Sequence, residues 1–256
     1  MNRIVFLLLG YLFFTSSFAQ DELVATHENA IVPSLIFKRF YTSNGLTDER
    51  IRSLYQDNKG FLWIGTMNGI SRYDGYTFKN YFRTQNNKGL IGNWAYEITE
   101  DKAHNIWIAT NEGLSKFDQQ KETFLNYTLP DKMAGQRSNR INTLHFDEAG
   151  MLWLGSKNGL LQFNPTNAIF KKINTYPLNL NISKIITSAN GFMWVATDDG
   201  VVHYNLQNNK YDVSKIDIKP SPYGDKIWGL LETNNDLYIA TAAQGLLVLP
   251  FNIFIK

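Results

Sequence analysis

The chain has 256 residues, 44% of them hydrophobic and 14% aromatic, a composition that supports a packed core and excludes a disordered chain. Its 25 basic and 23 acidic residues leave a formal net charge of +2, so no bulk field draws it to nucleic acid or an anionic membrane. There is no cysteine, which excludes disulfides, thiolate metal sites and thiol nucleophiles.

Residues 1–19 read as a signal peptide. Asn2-Arg3 gives a positive start, and the apolar run from Ile4 to Phe14 is shorter than the roughly 20 residues a bilayer span needs. Ser17 and Ala19 are small residues placed for cleavage after Ala19. The expectation is an exported chain, periplasmic or extracellular, without a lipid anchor and without a stable membrane span once the signal is removed. Residues 20–33 show no periodicity and form a lead-in. Residues 34–41 alternate as a strand does. Within them Phe37-Lys-Arg-Phe40 is like Phe78-Lys-Asn-Tyr81, Phe124-Leu-Asn-Tyr127 and Phe170-Lys-Lys-Ile173, each of which closes a later repeat. Residues 34–41 are therefore expected as an orphan outer strand ahead of the first full repeat.

A repeat array follows. Phe61-Leu-Trp-Ile-Gly-Thr-Met-Asn-Gly69 returns as Ile106-Trp-Ile-Ala-Thr-Asn-Glu-Gly113, Leu152-Trp-Leu-Gly-Ser-Lys-Asn-Gly159, Met193-Trp-Val-Ala-Thr-Asp-Asp-Gly200 and Leu237-Tyr-Ile-Ala-Thr-Ala-Ala-Gln-Gly245. The anchoring aromatics Trp63, Trp107, Trp153, Trp194 and Tyr238 are spaced by 44, 46, 41 and 44 residues, a period that marks a solenoid or propeller. Each unit reads as four strands. The first ends in a tight turn such as Asp57-Asn-Lys-Gly60 or Asp147-Glu-Ala-Gly150, with type I turn chemistry. The second carries the aromatic and, two residues on, a small residue: Gly65, Ala109, Gly155, Ala196 or Ala240. A conserved-in-place glycine opens the third strand, and the Phe-Lys segment is the fourth. The predicted fold is an all-β β-propeller over 34–256, with five blades at about 43–89, 90–136, 137–178, 179–220 and 221–256. Packing explains the aromatics: each ring enters the neighbouring blade, with the small residues making the slot. The ring either closes through 34–41 or stays an arc of a larger propeller; the arc is the preferred reading.

The run Gly45-Leu-Thr-Asp-Glu-Arg-Ile-Arg-Ser-Leu-Tyr-Gln-Asp-Asn-Lys-Gly-Phe-Leu-Trp-Ile-Gly-Thr-Met-Asn-Gly-Ile-Ser-Arg-Tyr-Asp-Gly75 resembles the two-component regulator propeller repeat, with weaker copies covering about 35 to 249. The resemblance implies an exported sensor propeller of the kind found in hybrid two-component systems, where many such domains detect carbohydrate-derived signals ahead of a membrane helix and histidine kinase. Those later parts are not in this sequence, so a sensor fragment is expected, with possible partners in further propeller repeats or sensor-kinase domains.

Catalytic chemistry finds little support. His27, His104, His145 and His203 fall in four different contexts, without metal-ligand spacing. Asp57, Asp101 and Asp147 recur with the turns they cap. No Gly-x-Ser-x-Gly elbow or phosphate-binding glycine loop is present. The expectation is a non-enzymatic binding module with no cofactor and no metal. Thirteen residues before each anchoring aromatic lie Arg50, Trp94, Arg140 and Asn181, with Lys226 taking the place in the fifth unit after one deletion. Two residues further on are Arg52, Tyr96, Asn142, Ser183 and Trp228. These positions change chemistry from blade to blade where structural positions repeat it. They nominate a ligand site of Arg50, Arg52, Trp94, Tyr96, Arg140, Asn142, Lys226 and Trp228 at the channel mouth, suited to an anionic or neutral oligosaccharide or another small ligand. A second, lower-ranked surface is the turn before each glycine: Met67-Asn68, Asn111-Glu112, Lys157-Asn158 and Asp198-Asp199.

Overall fold

The computed structural model describes residues 37–85, 88–130, 133, 139–174, 177–188, 191–206, 211–216 and 226–250. The predicted signal peptide, the lead-in, His27 and residues 34–36 lie outside them. The chain divides into a unit Met1–Lys38, of which only Phe37 and Lys38 are described, and a unit Arg39–Lys256, to which everything below refers.

Among the described residues, nineteen antiparallel strands form five sheets. Blade I is β1 (Ile51–Gln56), β2 (Leu62–Thr66), β3 (Ile70–Tyr73) and β4 (Phe78–Tyr81). Blade II is β5 (Ala95–Glu100), β6 (Ile106–Thr110), β7 (Gly113–Asp118) and β8 (Thr123–Tyr127). Blade III is β9 (Ile141–Phe146), β10 (Leu152–Ser156), β11 (Gly159–Asn164) and β12 (Ile169–Lys172). Blade IV is β13 (Ile182–Ser188), β14 (Phe192–Thr197), β15 (Gly200–Asn205) and β16 (Tyr211–Ile216). Blade V has three described strands, β17 (Ile227–Glu232), β18 (Asp236–Thr241) and β19 (Leu246–Pro250). Within each blade the strands pair in chain order, and β1, β5, β9, β13 and β17 lie side by side as the inner strands.

Side chains close the turns. The Asp57 carboxylate accepts the N–H groups of Lys59 and Phe61, both at 3.0 Å, and with its other oxygen the Trp63 indole N–H at 2.7 Å. Asp101–Trp107 (2.9 Å) and Asp147–Trp153 (2.8 Å) repeat the bond, so these aspartates satisfy a buried indole as well as a turn. Blade IV has Ser188 at that place, and there the Trp194 indole donates to Glu232 of blade V at 2.5 Å. At the other end of the second strand the hydroxyl of Thr66 donates to the Gly69 carbonyl at 2.9 Å and accepts the Asn68 N–H at 3.0 Å. Thr110, Ser156, Thr197 and Thr241 do the same in their blades. Gly69 is needed on two counts: its φ is +96°, and a Cβ there would sit 2.5 Å from the Tyr81 carbonyl oxygen.

Trp63, Trp107, Trp153 and Trp194 are all 2% exposed or less, and each joins the apolar cluster of the following blade. Trp63 meets Phe117 of blade II (centroids 5.1 Å apart), Trp107 meets Phe163 of blade III (5.8 Å) and Trp153 meets Tyr204 of blade IV (5.6 Å). Burying such a ring contributes at most about 4–6 kcal/mol of transfer free energy. Two expectations need correction. Gly65 and Gly155 do not receive the ring behind them: a Cβ on Gly65 would meet Ser53 Oγ at 2.3 Å and the Ala95 carbonyl oxygen at 3.0 Å, and one on Gly155 would meet Thr143 Cγ2 at 2.4 Å and Ile182 Cγ2 at 2.7 Å, so they let their own and the next inner strand approach. Tyr238, the fifth anchor, is only half-buried, because no described blade follows to receive it.

The predicted strand over 34–41 also changes. Its described part, 37–41, carries no strand, and Phe40 packs on Tyr73 (5.1 Å) and Phe78 (5.2 Å) of blade I. The outer faces of the end blades remain uncovered by another blade: Leu54 of blade I is 63% exposed, and Leu246 of blade V is 62% exposed.

Candidate functional site

Each inner strand carries a β-bulge at its second residue. The pairing skips Arg52 between Ile51 and Ser53, Tyr96 between Ala95 and Glu97, Asn142 between Ile141 and Thr143, Ser183 between Ile182 and Lys184, and Trp228 between Ile227 and Gly229. A bulge inserts a residue that the partner strand does not match, and so re-aims its side chain. Here it does so five times around one axis, at the positions that change between blades.

These side chains line a cavity of about 1100 Å³ at the channel mouth, together with Trp94, Arg140, Asn181, Lys184 and Lys226. Ligand clefts commonly run from about 300 to 1000 Å³. Tyr96 is the centrepiece of the blade II side. The Arg140 guanidinium carbon lies 4.3 Å from its ring centroid and that of Arg52 lies 5.9 Å away. Trp94 and Trp228 are exposed beside the cavity, 43% and 61% respectively. Large rings left in water next to cations cost burial free energy that the fold could otherwise have taken, and they offer flat apolar faces with charge nearby. On the opposite side the Asn142 amide donates to Asn181 Oδ1 (3.0 Å) and to the Ile182 carbonyl (2.7 Å). The Asn142 carbonyl oxygen and the Ser183 hydroxyl are buried without a hydrogen-bond partner among the described residues.

Seven of the eight residues nominated from sequence thus line one cavity; Arg50 does not. It forms an ion pair with Asp48 at 2.7 Å, with two bonds from one guanidinium. That contact, first the hydrogen bond and then the charge, holds the Asp48 carboxyl down at about 2. Of the second candidate surface, Lys157, Asn158 and Asp198 line the same cavity while Asn68, Asn111, Glu112 and Asp199 do not, and Arg52 Nη2 donates weakly to Met67 Sδ at 3.5 Å.

One functional-looking pair went unseen in the sequence. Glu97 of blade II forms an ion pair with Lys184 of blade IV, and its other oxygen accepts the Leu144 N–H of blade III at 2.8 Å. The pair ties three blades together across the channel. The signal for it is the residue just after each bulge, which reads Ser53, Glu97, Thr143, Lys184 and Gly229 and varies as much as the bulge position itself.

A smaller cavity of about 330 Å³ is lined by His145, Ile186, Thr187, Leu230, Leu231 and Glu232, on the inner strands of blades III, IV and V. His145 Nε2 is 2.8 Å from the Thr187 hydroxyl, and burial outweighs Glu97 and Asp147 to push its pKa down, favouring the neutral ring. His104 occupies a turn at φ 64°, where other blades have glycine, and bonds Glu100 at 2.6 Å; His203 stacks on Trp194 at 4.1 Å. Among the described residues no group of three His, Asp or Glu side chains is placed to hold a metal ion. No helix among them is long and apolar enough to cross a membrane.

Residues 45–68 and 89–112 match the profile of the two component regulator propeller, so these two segments are similar to that family's repeat. A histidine kinase of Formosa agariphila is 37% identical over 65 residues, which is 25% of this chain and 4% of the kinase. Among solved structures, the extracellular domain of a B. thetaiotaomicron protein described as a hybrid two component system aligns with TM-score 0.55 and 19% identity over 86% of this chain and 36% of its own. A second, from a B. thetaiotaomicron protein described as a one component system, gives TM-score 0.59 and 19% identity over 78% and 34%. Virginiamycin B lyase from Staphylococcus aureus gives TM-score 0.58 and 14% identity over 80% of this chain and 72% of its own. The chain therefore spans a small part of the kinase and about a third of the two extracellular domains. At these identities the structural likeness is one of fold, shared by sensor-type propellers and by an enzyme.

Proposed function

We propose that the chain is the ligand-sensing part of an exported, non-enzymatic signalling protein, periplasmic or extracellular after removal of residues 1–19, and that its channel mouth binds a saccharide. The observation that carries this reading is the bulge repeated on all five inner strands, which directs unlike side chains, aromatic, amide and cationic, into one cavity. Sugars present apolar ring faces that stack on aromatic rings and hydroxyls that bond amides and guanidinium groups. Trp94, Tyr96 and Trp228 supply the first kind of contact, and Asn142, Asn181 and Ser183 the second.

A glycan array followed by calorimetry on the purified chain tests the reading. Binding of at least one oligosaccharide is expected, weakened by Trp94→Ala and by Trp228→Ala with unchanged thermal stability. A folded chain that binds none sinks the proposal.

A second reading, a scaffold that docks further propeller repeats, draws on the exposed Leu231 (61%), Leu246 (62%) and Val248 (51%) of blade V. Light scattering separates the two: a scaffold self-associates or captures repeat-bearing chains with no saccharide present.

A further inference from the structure

The charge on the cavity wall narrows the ligand class, and the narrowing rests on the saccharide reading above: we infer that the site takes a polyanionic oligosaccharide, bearing carboxylate or sulfate groups on more than one sugar. Six lining residues are cationic, Arg52, Arg140, Lys157, Lys172, Lys184 and Lys226, against Glu97 and Asp198. The local excess of four positive charges exceeds the whole chain's +2, so the rest of the molecule is net negative and the chain's positive excess is gathered at this mouth.

Both carboxylates are already engaged. Glu97 is held by Lys184 and the Leu144 N–H, and Asp198 accepts the Asn181 amide at 2.8 Å. Among the described residues no carboxylate lies within ion-pair distance of Arg52, Lys157, Lys172 or Lys226. Cations gathered in one concavity repel one another more strongly than on an open surface, because the walls exclude water. A bound counter-charge relieves that repulsion.

The placement of the charges selects several anions over one. Arg52 is on blade I, Lys157 and Lys172 on blade III, and Lys226 enters blade V, so the cations are spread around the mouth. Blade II contributes no cation there but offers Trp94 and Tyr96. A single phosphate or sulfate reaches one of these sectors. A chain of charged sugars reaches several, with its ring faces on the aromatic sector.

Calorimetry of the purified full chain at low and at physiological salt decides, with four probes: a galacturonate tetrasaccharide, a chondroitin sulfate tetrasaccharide, a neutral galactose tetrasaccharide and inorganic sulfate. At least one charged tetrasaccharide should bind roughly tenfold or more tighter than the neutral one, and its affinity should fall as salt rises. The triple variant Lys157→Gln, Lys172→Gln, Lys226→Gln should lose roughly tenfold in that affinity and show a flatter salt dependence, while Arg50→Ala should match the wild type. Circular dichroism melting checks that the variants fold. Equal or tighter binding of the neutral tetrasaccharide, or wild-type affinity in the triple variant, overturns the polyanion inference and leaves a saccharide site standing. Sulfate binding as tightly as the charged tetrasaccharides overturns both, because one anion then accounts for the site. No binding by any probe also overturns both.

Discussion

Tyr81→Phe should make the protein more stable. Tyr81 is buried at the seam of blades I and II, with its ring 6.0 Å from Trp63, 5.2 Å from Phe117 and 5.6 Å from Phe124. Its hydroxyl oxygen has no hydrogen-bond partner among the described residues. A buried, unpaired hydroxyl costs about 1–3 kcal/mol, and the void left by deleting one oxygen takes back part of the gain. The net expectation is about 1 kcal/mol of added stability, a rise of roughly 2–4 °C in Tm for a domain of this size. Alkaline pH gives an independent reading of the same burial. Loss of solvent pushes the Tyr81 phenol from 10.0 up to about 12, beyond the smaller pull of Arg72. A pKa raised on folding means that Tyr81 weakens the fold as pH climbs from 10 towards 12, and has no such effect below. The phenylalanine variant lacks this term, so its advantage should widen above pH 10. Thermal unfolding followed by tryptophan fluorescence at neutral pH and near pH 11 measures both. A variant that melts lower at neutral pH, or whose advantage stays constant with pH, refutes the reasoning.

Three further outcomes are expected. A double-mutant cycle on Glu97→Gln and Lys184→Met, read by urea denaturation, should give a coupling of about 1–3 kcal/mol, since the side chains are only 18% and 29% exposed; a coupling near zero means the strut does not hold blades II to IV together. Burial raises the Asp101 pKa, but bonds from the Trp107 indole and from Asn105 outweigh it and leave it below 3.8. Its stabilisation is therefore complete above that value and lost as pH falls below it, so Asp101→Asn should flatten acid unfolding; an unchanged acid limb argues against the assignment. Trp107→Ala empties the seam between blades II and III and should cost roughly 3–5 kcal/mol, with dye binding to the exposed cluster; a loss under about 1 kcal/mol contradicts the packing role.

Much of the fold was legible because a repeat displays the same solution five times. Trp63, Trp107, Trp153 and Trp194 could be separated from binding residues by comparing copies, and the structure buries all four between blades. The opposite signal, positions that refuse to repeat, singled out Arg52, Tyr96, Asn142 and Trp228, and the structure sets these side chains on the wall of one cavity. Arg50 is not on that wall, because a residue just outside the strand can be claimed by a neighbour two places away, here Asp48. The same signal stopped one residue short of Glu97 and Lys184, because partners 87 positions apart meet only once the blades curve round a shared axis. The double duty of Asp57, as turn cap and indole acceptor, was invisible for a more local reason: strand pairing brings Trp63 back over its own turn. The likeness of Phe37-Lys-Arg-Phe40 to a closing strand misled, since Phe40 uses the same aromatic character to cover Tyr73 and Phe78.

Every tryptophan between blades points the same way along the chain, from one unit into its successor. The array is therefore directional, with a giving end and a receiving end in each module. Copying or excising one module leaves a matched junction on either side of the cut, so a single recombination event can lengthen or shorten such a propeller without any new interface having to be invented.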